Sequence, residues 1–127
     1  MELKELLQSG DWKAEKHVLA IEILEKKDGR VTAEASVGKE IPHPNTTAHH
    51  ISWIEVYFLP EGEKFPYLIG RYEFAAHGAS AGGADTSGVY SEPVVRFTFR
   101  TEKGGTILAK SYCNVHGLWA NSLKLGI

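Results

Sequence analysis

One cysteine and six histidines carry the reactive chemistry of this sequence: Cys113, with His17, His43, His49, His50, His77 and His116. A lone cysteine forms no intramolecular disulfide, so Cys113 is an inert core thiol, a nucleophile or a metal thiolate, and the histidines decide. Cys113-Asn114-Val115-His116 sets a thiolate and an imidazole three residues apart, close enough for one tight turn to aim both at the same ion. Alone the pair is weak, because short motifs of this kind arise by chance. Pro42-His43-Pro44-Asn45-Thr46-Thr47-Ala48-His49-His50 strengthens it: the prolines stiffen a segment that can hold His43 and His49 apart on one arc. Glu15-Lys16-His17 adds a carboxylate, a cation and an imidazole.

Ligand softness narrows the metal. Tetrahedral zinc needs only four of these groups, and its structural sites usually take more than one cysteine. Copper in an electron-transfer site normally adds a weak axial methionine downstream, and the only methionine is Met1. Four neutral imidazoles and one thiolate make a five-coordinate site with an open sixth position, which suits iron and chemistry on a small ligand. Zinc stays possible, and a copper electron-transfer protein on a β-sandwich is the alternative function. His50, adjacent to His49, points the other way if the segment is extended, and His77 sits in a Gly/Ala-rich stretch; both read as hydrogen-bonding or supporting histidines. Trp119 could wall the site, and Asn114 reads as a hydrogen-bond partner of the backbone or the thiolate.

These groups need a rigid scaffold, and the sequence supplies one. Period-2 alternation runs through Val31, Ala33, Ala35 and Val37 and through Val95, Phe97 and Phe99, as in half-buried antiparallel strands. Ile51 to Leu59 and Tyr67 to Ala75 are apolar on both faces, which predicts central strands or a subunit interface. Shorter strands are expected at Ala20 to Glu25, Ile107 to Tyr112 and Leu123 to Ile127, with turns at Asp28-Gly29, Pro60-Glu61-Gly62 and Lys103-Gly104-Gly105. About seven strands in a chain of this size have the density of an antiparallel sandwich or barrel. Glu2 to Gln8 reads as the one helix. Lys39 to His50 and Ala76 to Gly88 are irregular, and loops on a sheet scaffold are where sites are built.

Composition bounds the rest. The chain has 127 residues, room for one core, so a single domain over residues 1–127 is expected. With 43% hydrophobic and 24% charged residues and no apolar run of membrane length, neither a membrane span nor extensive disorder is expected. Fourteen Lys and Arg against sixteen Asp and Glu give a net charge of -2, the wrong sign for a nucleic-acid binder. The acidic N-terminus carries no signal-like stretch, which predicts a cytoplasmic protein.

Three motifs together resemble the superoxide reductases of the one-iron, neelaredoxin-like type (class II). They are Glu15-Lys16-His17; Gly38-Lys39-Glu40-Ile41-Pro42-His43-Pro44-Asn45-Thr46-Thr47 with His49-His50; and Ser111-Tyr112-Cys113-Asn114 with His116-Gly117-Leu118-Trp119. Ala76-His77-Gly78 and the stretch Val89-Tyr90-x-Glu92-Pro93 are also similar. The resemblance implies a mononuclear iron cycling between Fe2+ and Fe3+. His17, His43, His49 and His116 would be equatorial ligands and Cys113 the axial thiolate, with Glu15 in the sixth position when oxidised and Lys16 beside the open site. It further implies one-electron reduction of superoxide to hydrogen peroxide, a rubredoxin-type electron donor, a homotetramer, and an immunoglobulin-like seven-stranded β-sandwich. Ala48 and Leu19 depart from the Glu and Pro common in the family. A single cysteine leaves no ligands for the four-cysteine iron domain of the two-iron relatives.

Overall fold

The computed structural model describes residues 1–126 and is almost entirely β. Strands β1 (Ala20–Lys27), β2 (Arg30–Ser36) and β5 (Val94–Arg100) form a three-stranded sheet in the order β1-β2-β5. Strands β3 (Ile51–Pro60), β4 (Tyr67–Glu73), β6 (Gly105–Cys113) and β7 (Gly117–Leu125) form the second, in the order β4-β3-β6-β7. Every strand pair is antiparallel, and the two sheets face each other in the immunoglobulin-like manner. Of the last expected strand, Ile127 lies outside the described residues.

Alternation explains the core. Val31, Ala33 and Ala35 of β2 and Val95 and Phe97 of β5 are buried against Ile54, Val56 and Phe58 of β3 and Ile107, Ala109 and Cys113 of β6. At Asp28-Gly29 both residues have positive φ, 54° and 77°, the backbone of a tight two-residue hairpin. Two expectations change. Strand β4 is an edge strand, largely exposed, rather than a central one. The helix shrinks to α1 (Leu3–Leu6), uncapped and unburied, because a single turn without packing is marginal, and Gln8 is drawn instead into backbone pairing with β7.

Register brings the irregular segments to one end. Ala20 of β1 pairs with Ser36 of β2, which pairs with Val94 of β5; Ile51 of β3 pairs with Cys113 of β6, which pairs with Gly117 of β7. The chain ahead of β1, the β2–β3 loop, the β4–β5 loop and the β6–β7 turn therefore share that end. A bulge between Ile51 and Trp53 bends β3 where the loop enters it.

Candidate metal centre

Three separate stretches of chain deliver donors to one point at this end. His17 stands just ahead of β1, after a turn in which Ala14 and Glu15 N–H both donate to Asp11 O. His43 and His49 come from the β2–β3 loop, Cys113 ends β6, and His116 closes the three-residue turn before Gly117, whose φ of +81° suits glycine. Donor atoms of His17, His43, His49 and Cys113 all lie within 4.8 Å of one another. His116 joins them: its Nδ1 is 3.2 Å from His17 Nε2 and 3.9 Å from Cys113 Sγ.

The outer nitrogens explain the orientation of two rings. His17 Nδ1 lies 2.8 Å from Glu15 Oε1, which also accepts the His17 backbone N–H at 2.7 Å. His43 Nδ1–H donates to Pro44 O at 2.6 Å. A carboxylate and a carbonyl only accept, so each ring carries its proton outside and turns a lone pair inward as Nε2. The His43 lone pair stands 3.5 Å from Cys113 Sγ. His49 Nε2 is buried without a partner.

Facing lone pairs and an orphaned buried nitrogen are unfavourable unless a cation lies among them. Donors across an ion at bond lengths of about 2.1 Å stand about 4.2 Å apart, which the cluster matches. Burial pushes the His43 pKa from 6.5 down to about 4, with the positive ends of His17, His49 and Lys16 adding to it despite the opposing bond to Pro44. Burial and neighbouring charge lower His49 in the same direction. These two imidazoles are thus neutral and ready to ligate at neutral pH. The His17 backbone N–H holds the Glu15 carboxyl below its ordinary range.

Cys113 is fully buried at the base of the cluster, and the His116 N–H donates to its sulfur at 3.3 Å. Trp119 stacks on His17, centroids 4.6 Å apart at 11°, and donates from Nε1 to His116 O. It walls the cluster as expected. Lys16, half-buried, reaches the histidines by its charge. Glu15 is brought to the cluster's rim, on the outer nitrogen of His17. Met1, the sole methionine, is 93% exposed and not part of the donor cluster.

His50 and His77 fall outside the cluster. Their rings stack on each other, 3.5 Å between centroids at 6°, while His50 Nδ1 donates to Thr46 O and His77 Nε2 to Phe74 O. Asn114 makes no side-chain bond to the sulfur; its amide reaches the β2–β3 loop. Asp85 is a supporting residue that sequence reading missed. Its Oδ1 accepts from Thr47 N–H at 2.9 Å and from Tyr90 O–H at 3.1 Å, joining the β2–β3 loop to the β4–β5 loop. The available signal was its place as the one charged residue between His77 and Glu92.

Known proteins are similar to this chain over most of its length. The family model described as Desulfoferrodoxin matches residues 9–122. The chain is 56% identical over 123 residues to the superoxide reductase of Pyrococcus furiosus, covering 97% of this chain and 98% of that one. It is 48% identical over 133 residues to the neelaredoxin of Megalodesulfovibrio gigas, covering 100% and 99%. Among solved structures, the reduced superoxide reductase (neelaredoxin) from Archaeoglobus fulgidus superposes with a TM-score of 0.93 at 60% identity, over 96% of this chain and 99% of that chain.

Proposed function

The chain belongs to the Desulfoferrodoxin family, and on that premise we propose that it is a superoxide reductase, converting superoxide to hydrogen peroxide with one external electron and two protons. The observation that carries this reading is the meeting of four imidazoles and one buried thiolate, with the His17 and His43 lone pairs turned inward and His49 Nε2 buried without a partner. His17, His43, His49, His116 and Cys113 hold a mononuclear iron. Iron bound there supplies one electron from its ferrous state and an open coordination position for a small anion.

The residues around that position do the rest. Cys113 comes from the core, and its thiolate would stabilise the higher charge of a bound iron. Lys16 draws the superoxide anion inward by electrostatic steering, and its ammonium, or a water it holds, delivers a proton to the reduced oxygen. Glu15 holds His17 in this structure, so to ligate iron in the oxidised state it would have to leave His17 Nδ1. A rubredoxin-type protein returns the electron, and a homotetramer in the cytoplasm is the proposed working form. The whole of residues 1–127 serves as one iron-binding domain.

Stoichiometry tests the reading. Protein purified without an affinity tag should carry one iron per chain and, with an external reductant, release one hydrogen peroxide per superoxide consumed. One peroxide for every two superoxides would mean dismutation, and no stoichiometric iron, no loss of fold on chelation and no superoxide consumed would leave only a binding module.

A further inference from the structure

Three hydrogen bonds through one residue join the two ligand-bearing loops. Asn114 opens the β6–β7 turn, directly after Cys113. Its Nδ2 donates to Ala48 O at 2.9 Å, its Oδ1 accepts from His50 N–H at 2.8 Å, and its own backbone N–H donates to His50 O at 3.2 Å. The residue between those anchor points is His49. A side-chain amide can serve a carbonyl and an N–H at once, whereas a carboxylate can only accept. The partner at position 48 is a backbone carbonyl, so Ala48 serves in spite of its departure from the family's common Glu.

His49 depends on this grip more than His17 and His43 do. The His17 ring is held by Glu15 and the His43 ring by Pro44 O, but among the described residues no hydrogen bond reaches the His49 ring. Its backbone closes a small turn with Thr46: His49 N–H donates to Thr46 Oγ1, and Thr46 N–H donates to His49 O. Those bonds shape the turn without fixing its distance from Cys113 and His116. Thr47 ties it to Asp85 on the β4–β5 side, and Asn114 ties it to the β6–β7 turn.

We infer that Asn114 is the positioning residue of His49: it sets how deeply that imidazole reaches toward the metal by clamping the backbone on both sides of it. This rests on the metal-centre reading, and Co2+ as the probe keeps the two separable. The full-length metal-free protein should take up one Co2+ with a thiolate charge-transfer band. Asn114→Ala should weaken Co2+ binding by about 10- to 100-fold, as loss of a group orienting a ligand does. Its charge-transfer band should persist, since Cys113 stays on β6, while its d–d bands should move to the pattern of His49→Ala. Adding Asn114→Ala to His49→Ala should cost no more than about twofold further, the non-additivity of residues acting through one contact. Far-UV circular dichroism checks the fold, and Asn114→Ser carries the same cycle if the alanine variant does not fold. Affinities within about twofold of wild type, or losses that multiply in the double variant, would overturn the inference. No Co2+ uptake by the wild type would overturn the metal-centre reading, and this inference with it.

Discussion

The β6–β7 turn and the β2–β3 loop each deliver two donors, but by different physics. Cys113 precedes and His116 closes a three-residue turn whose ends are fixed by strand pairing, with Cys113 opposite both Ile51 and Gly117. His43 and His49 sit on an irregular segment with no strand pairing of its own, braced by side-chain bonds: Asn45 Nδ2 to Ser91 O, Thr47 to Asp85, and Asn114 to Ala48 and His50. Sheet register sets the first pair; a web of polar contacts sets the second. Donors on the turn should therefore survive perturbations that scatter donors on the loop.

Cys113→Ser should have the largest effect. The sole thiolate goes, so the visible thiolate-to-metal charge-transfer band of the oxidised protein should vanish; a band that stays would show that Cys113 is not the axial donor. Glycines sharpen the contrast between the two segments. Gly117 has φ +81° and open space around a would-be Cβ, so Gly117→Ala should cost only backbone strain, about 1–2 kcal/mol. Gly38 has φ +86°, and a Cβ there would stand 2.7 Å from the His43 backbone nitrogen, so Gly38→Ala adds a clash that backbone must absorb. Thermal unfolding should show Gly38→Ala losing about 3 kcal/mol or more, with metal affinity falling alongside. Equal losses at the two glycines would remove the distinction.

Lys16→Ala should lower the second-order rate with superoxide by about tenfold at low ionic strength, the gap closing as salt is added. An unchanged rate at low salt would remove the steering role. The metal-free protein should also respond to pH. His43 titrates at about 4 in the folded protein against 6.5 unperturbed, so the unfolded chain takes up its proton first as pH falls. The metal-free protein should lose stability between pH of about 6.5 and about 4, by up to about 1.4 kcal/mol per pH unit from this group. His49 shifts in the same direction and adds to the loss. A flat urea midpoint across that window would contradict the neutral, buried ring.

Much of this was legible because it depends on local spacing. Alternating apolar residues on β2 and β5 placed the sandwich, Asp28-Gly29 placed a hairpin, and Cys113-x-x-His116 placed two of the five donors on one turn. The exposed face of β4 was not legible, because apolar residues such as Tyr67 and Leu68 look alike whether a neighbouring strand covers them or not. Nor was the Asn114 clamp, since it exists only once β3–β6 register brings residues 48–50 beside residue 114. The His50–His77 stack has the same origin. What local pattern misses here is how one loop is held against another.

If these five donors make an iron site, the ferrous protein should react directly with superoxide. Pulse radiolysis of the ferrous protein, with superoxide limiting, tests it most directly: superoxide decay should accelerate in proportion to protein concentration, with one iron oxidised per superoxide consumed. Decay at the rate of buffer alone, with the iron still ferrous, would contradict it.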